Sequence, residues 1–275
     1  MSDSGISEGT PNTESTTVKA ASVSSPAATG GAGSVFESSV GAYWLAQLLV
    51  GAIPPILIDC SVDQLHFQTE HLGWHTDDIL VVGRSSGGAI RKLAGQIKRT
   101  FTISSSDEDC KDTILDFWAD FKNPVLFSSA TDRLAIITQL GTNTLLQHFG
   151  SLLECARAAQ NAEDFEHRLS TAGFLSSTAI RYCGEVATII SGAEGRDVKA
   201  GEILPFLKII QVLSLDLSTG TRQGEAAIKS LLSYTAVLDD KEDAARQTWN
   251  ELLSIAAEAA RLWLNRSQEQ IFLHY

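Results

Sequence analysis

The chain has 275 residues, with 21 Lys+Arg against 33 Asp+Glu, a formal net charge of -12; 44% of residues are hydrophobic and 20% charged. This is a globular composition, long enough for one large domain or two small ones. The acidic balance argues against a protein that coats nucleic acid or an anionic membrane by bulk charge.

Apolar runs fall well short of the ~20 residues a spanning helix needs. Cys60, Cys110, Cys155 and Cys183 are scattered and form no CxxC pair. Neither a disulfide framework nor a zinc ribbon is expected, and free thiols fit a reducing cytoplasm. No basic, apolar leader pattern opens the chain. Residues 1–30 hold twelve Ser or Thr. With almost no large apolar side chains, this segment is expected to be a disordered tail.

In chain order, Ser34 to Val50 has apolar residues near helical spacing. Ser34 with Glu37 three positions on reads as a capping box, and Pro54-Pro55 ends the segment. Leu65–Thr69 reads as a short strand. Asp78–Val82 is a second strand, and after the turn at Ser85–Gly88, Leu93–Ile103 returns as the other arm of a hairpin. Ser106 to Phe121 reads as a helix capped by Ser106, with acidic residues favourable to its first turn. Arg133–Thr138 reads as a buried strand. From Thr144 nearly everything reads as helix: 144–160, 163–172, 174–192, 201–214, 222–238 and 240–270. The expected class is α/β (α+β), in three parts: a tail over 1–30, a core over 31–140 (helix, three strands, helix, strand) and an all-helical region over 141–275. Trp118, Trp249 and Trp263 are expected in core or interface positions.

Charge is uneven. Arg84 to Phe101 holds five basic residues (Arg84, Arg91, Lys92, Lys98, Arg99) and no acidic one, while residues 102–275 carry -9. The candidate chemistry falls in the same stretch. Gln96 and Lys98 share one strand face, because side chains alternate. A hairpin brings them to Asp77-Asp78, and the first helix can set Glu37 over the same edge. Carboxylates of Glu37 and Asp78, with the Ile97 carbonyl, suit a hard divalent cation. Lys98 would orient or help deprotonate a water and stabilise charge on a phosphate.

Three stretches, Gly30–Glu37, His75–Val81 and Gly95–Arg99, resemble in serial order a PD-(D/E)xK nuclease core with Gln in place of the acid before x-Lys. More narrowly, they resemble the double-stranded DNA endonuclease domain of CD-NTase-associated antiphage effectors, also found at the N-terminus of STAND NTPase defence proteins. The likeness extends loosely over residues 30–235. It implies a restriction-endonuclease-like fold and a cytoplasmic, Mg²⁺- or Mn²⁺-dependent endonuclease acting on duplex DNA in bacterial defence. Glu37, Asp78, Gln96 and Lys98 map to the catalytic set. Glu37 and Asp78 map to the metal, with Asp77 as the register alternative. Arg84, Arg91, Lys92 and Arg99 are candidate DNA contacts. A regulatory or oligomerisation module, in trans or in a longer chain, and homo-oligomerisation on activation are implied as well.

Other motifs compete. Gly83-Arg84-Ser85-Ser86-Gly87 matches G-x-S-x-G, with His148 or His167 as nominal triad partners, but a strand rather than a helix is expected after it. Gly31-Ala32-Gly33 lacks the third Gly of a dinucleotide fingerprint, and no Walker A occurs. His66, His71 and His75 read as loop or strand residues. A non-catalytic adaptor built on a degenerate nuclease core is the third reading.

Overall fold

In the computed structural model, residues 32–54, 56–139, 144–217, 223–235 and 240–264 are described. The expected tail over 1–30, Pro55 and the Trp263 side chain lie outside the described positions. The elements run α1 (Ala32–Leu49), β1 (Cys60–Phe67), β2 (Ile79–Ser85), β3 (Ile90–Lys98), α2 (Glu108–Phe121) and β4 (Arg133–Gln139). They continue with α3 (Gly150–Ala158), α4 (Ala162–Ser170), α5 (Ser177–Glu194), α6 (Leu204–Ile209), β5 (Ile210–Leu215), α7 (Gln223–Ser233) and α8 (Lys241–Leu264). The fold is mixed α/β, with the expected helix, three strands, helix and strand leading into a largely helical region.

The five strands form one sheet in the order β1-β2-β3-β4-β5. β1, β2 and β3 are antiparallel neighbours, and β4 and β5 add in parallel. Strand alternation sorts the two faces. Leu80, Val82, Ala94, Leu134 and Ile136 join α2, α3, α5 and α6 in one core. Ile79, Val81, Leu93, Ala135 and Ile137 meet α1, α7 and α8 in the other. The sheet is therefore covered on both faces, as its near-continuous apolar strands require.

Several sequence expectations change, among them the strand expected over Leu93–Ile103, which runs Ile90–Lys98 instead. The stretch expected as helix over 201–214 divides into α6 and β5, so the C-terminal region supplies a strand to the sheet. Ile210 pairs with Leu134 and Val212 with Ile136, a long-range pairing that local apolar pattern does not specify. Ser34 and Glu37 lie inside α1, which begins at Ala32, so they form no capping box. Asp107, not Ser106, caps α2, its carboxylate accepting the Cys110 amide at 2.9 Å.

α1 is apolar on most sides because the sheet and α8 both cover it. Close approach to α8 rests on Gly41, where an added Cβ would lie 2.8 Å from Ala256 Cβ and 3.1 Å from Phe67 Cε1. Gly41→Val is expected to lower stability by about 1–3 kcal/mol through overpacking, measured as the urea midpoint at unchanged slope.

Candidate functional site

The site sits where β2 begins and β3 ends. Residues 75–78, entering β2, are held from two sides. On one side, the Thr69 amide donates to the Asp77 carbonyl at 2.7 Å, and the buried Thr69 hydroxyl donates to the Thr76 carbonyl at 2.7 Å. On the other, α2 sends in Asp120, whose two carboxylate oxygens accept the His75 and Thr76 amides at 2.9 and 2.8 Å. Asp120 is fully buried. Two amides satisfy its side-chain oxygens there, and its removal would orphan both donors. Asp120→Ala is therefore expected to cost about 2–4 kcal/mol by chemical denaturation and to loosen residues 75–78 in amide exchange.

Asp78 stands next to the Ile79–Gly95 pair, the last rung of the β2–β3 ladder. Its Oδ2 accepts the Ile97 amide at 2.5 Å, so the side chain serves as the next acceptor along the strand. Gln96 is buried at 6% exposure and donates from Nε2 to Asp77 Oδ1 at 3.1 Å. Its Oε1 is buried, with no hydrogen-bond partner among the described residues. Gly95 lets the strand pass tightly here, since a Cβ would lie 2.8 Å from Ile137 Cδ1. Lys98 closes β3 opposite Thr138 of β4, with Nζ 3.9 Å from the exposed Asp109 carboxylate at the start of α2.

Glu37, Asp77, Asp78 and Lys98 form one electrostatic cluster, each of the four interacting with the other three. Burial raises the Glu37 carboxyl above its ordinary value, Asp77 adds to the rise and Lys98 opposes it. Burial also raises Asp77, against a backbone hydrogen bond and the charge of Lys98. Asp78 is pushed up to about 8, first by burial and then by Asp77, with the Ile97 amide opposing and Glu37 adding. The carboxylates repel one another out of water, and one ammonium only partly compensates.

Beside this cluster lies a cleft of about 390 Å³ lined by Glu70, Gly73, Trp74, His75, Asp77 and Asp116. Asp116 is pushed up to about 6 by burial and by Asp77, with His75 opposing. Asp116 and Asp120 were missed as site residues. Their trace in the sequence is Asp120 on the apolar face of α2, among Ile114, Phe117 and Thr113.

Every donor in the cluster is oxygen, which is what Mg²⁺ or Mn²⁺ takes. The orphaned Gln96 Oε1 is an acceptor available to such a cation, and its approach would relieve the carboxylate repulsion. The residues thus fit a hard cation by donor chemistry. Among the described residues no group of three or more His, Cys, Asp or Glu is arranged to hold a metal ion.

The other candidates disperse. Arg84 pairs with Asp63 at 2.9 Å, near the far end of the β2–β3 hairpin. Arg91 lies at that end too, opposite Gly83. Lys92 donates to the Leu126 carbonyl at 2.6 Å and sits over the Trp74 ring. Arg99 remains beside Lys98, sharing a hydrogen bond with Gln139 at 3.1 Å. The basic strip is continuous in sequence but spread along the sheet. Of its members, Lys98 and Arg99 lie at the carboxylate end.

Ser85 occupies the β2–β3 turn, where its Oγ accepts the Ala89 amide at 3.0 Å. A strand follows it, so the strand-turn-helix of a nucleophile elbow is missing. His148 instead shares a hydrogen bond with Ser176 at 2.9 Å. The His71 ring contacts the Gln68 carbonyl, and His75 is exposed at the cleft. No described helix is long and apolar enough to cross a membrane. In comparisons with known proteins, no family model, curated protein or solved structure matches this chain.

Proposed function

We propose that this protein is a metal-dependent endonuclease that cleaves double-stranded DNA, acting in antiphage defence as the resemblance implies. The observation that carries the reading is the mutual coupling of Glu37, Asp77, Asp78 and Lys98 at the end of the β2–β3 hairpin, beside the buried Gln96. Glu37, Asp78 and the Gln96 carboxamide oxygen, with the Ile97 carbonyl, are the donors that would hold Mg²⁺ or Mn²⁺. A cation bound there supplies Lewis-acid polarisation of the phosphate and lowers the pKa of the attacking water. Lys98 orients that water and neutralises charge developing on the phosphate oxygens. Asp77 positions Gln96 through the hydrogen bond between them. Arg99 contacts the DNA backbone beside the scissile bond, giving sequence-tolerant, salt-dependent binding.

Of the two candidate aspartates, Asp78 is assigned as the ligand. Its carboxylate is fixed on the Ile97 amide next to Lys98, while Asp77 is committed to Gln96. Cytoplasmic location, a regulatory module and activation by homo-oligomerisation belong to the same proposal and rest on the resemblance. The test is supercoiled plasmid incubated with the purified protein. Nicking or linearisation with Mg²⁺, abolished by EDTA, is the expected result; an intact plasmid at every Mg²⁺ and Mn²⁺ concentration refutes it.

One observation favours a second reading, a DNA-binding adaptor with a degenerate core. Gln96 replaces an acid and is tied to Asp77, and one Asp78 oxygen is already occupied by the Ile97 amide. That reading expects retained duplex binding without cleavage under any divalent metal.

A further inference from the structure

A second concentration of charge lies at the other end of the sheet, and it is cationic. Arg91 precedes Leu93 by two residues on β3, so both face the same way. Leu93 pairs with Arg133, the first residue of β4, which makes Arg91 and Arg133 neighbours across the parallel pair. Arg157, at the end of α3, reaches the same rim. Its Nη1 donates at 3.1 Å to the carbonyl of Ile210, which pairs with Leu134, the residue after Arg133. The Arg133 guanidinium is depressed below its ordinary value by burial and then by Arg91, with Asp132 opposing. Burial also depresses Arg157, with Glu154 opposing and Arg133 adding repulsion.

Nine ion pairs form among the described residues, and none involves Arg91, Arg133 or Arg157. Asp132 forms no ion pair with any of the three among the described residues, and it only partly offsets the Arg91 repulsion at Arg133. Its oxygens accept the Lys92 and Ser128 amides and the Thr131 hydroxyl. Arg133 Nη1 is bound to main-chain carbonyls, and Arg91 donates to no described residue. Free guanidinium edges therefore remain on a chain whose net charge is -12. At Arg133 the repulsion from Arg91 exceeds the opposing pull of Asp132, and an oxyanion beside the pair would remove that cost. The planar guanidinium fork matches phosphate oxygens two at a time.

We infer that the rim of Arg91, Arg133 and Arg157 is a binding site for a phosphate-bearing anion, separate from the carboxylate centre. Seven residues of extended strand part Arg91 from Lys98, about 23 Å. The inference stands independently of the nuclease reading. Its phosphate can come from a free polyphosphate or from a nucleic-acid backbone, and the two are told apart by the probe.

The experiment is calorimetric titration in EDTA of wild type, Arg91→Gln, Arg133→Lys and Lys98→Ala with inorganic pyrophosphate and, separately, a short DNA duplex. Arg91→Gln breaks no hydrogen bond to a described residue and is expected to keep or raise the melting temperature. Arg133→Lys keeps the charge but loses the fork. Pyrophosphate binding weakened about tenfold or more by both substitutions, and unchanged in Lys98→Ala, supports the site and a free polyphosphate. Duplex binding weakened by Arg91→Gln, with no pyrophosphate binding, supports the site and a nucleic-acid backbone. Absence of binding to both probes, or equal affinity in wild type and Arg91→Gln, overturns it.

Discussion

Asp78→Asn is expected to abolish DNA cleavage and, in metal-free buffer at pH 8, to melt at a higher temperature than wild type. The Asn oxygen can still accept the Ile97 amide, so the β2–β3 rung is kept. What disappears is a carboxylate whose ionisation the fold resists, with its pKa pushed up to about 8 by burial and Asp77. The sign follows from linkage. A carboxyl raised in the folded state gives no penalty below its ordinary value near 4, where both states are protonated. From there to about 8 the unfolded chain ionises first, and stability falls with rising pH. Replacing the group removes that loss, on the order of a few kcal/mol at pH 8. The gain should vanish at pH 4. Equal melting temperatures for the two proteins at both pH values would contradict this account of the cluster.

Gln96→Glu is expected to do the opposite in the absence of metal. Gln96 Nε2 is the donor that Asp77 Oδ1 accepts, and the residue is buried. A glutamate there loses the donor and faces Asp77 as a like charge, costing about 2–4 kcal/mol in EDTA. Added Mn²⁺ should restore the stability and raise the melting temperature more than it does for wild type, because a charged oxygen replaces a neutral one. Melting curves with and without Mn²⁺ check both halves. An undiminished metal-free stability would mean that Gln96 does not face the carboxylates as described.

These expectations rest on features of unequal visibility in the sequence. The β2–β3 hairpin was legible from apolar strands flanking a Ser/Gly turn, and strand alternation placed Gln96 and Lys98 on one face. The first helix was legible too, but not its start. Because α1 begins at Ala32, Glu37 is released from a capping role and available to the cluster. β5 was not legible, since Ile210–Leu215 follows α6 without a break and becomes a strand only by pairing with β4. Asp120 is acidic on an acidic helix, and its role appears only once residues 75 and 76 are packed against it. The basic strip misled for a geometric reason. A hairpin carries consecutive charges from one end of the sheet to the other, so Arg91 and Lys98 serve opposite rims. The net charge argues against a protein that coats DNA, and the fold parts the strip's own cations between the two ends of the sheet.

Lys98, held among Glu37, Asp77 and Asp78, is proposed to act in phosphodiester cleavage. Cleavage of a labelled duplex in Mg²⁺ by wild type and by Lys98→Ala, matched for melting temperature, tests it most directly. A rate reduced by about 10² or more in the substituted protein is predicted. Equal rates for the two proteins would contradict it.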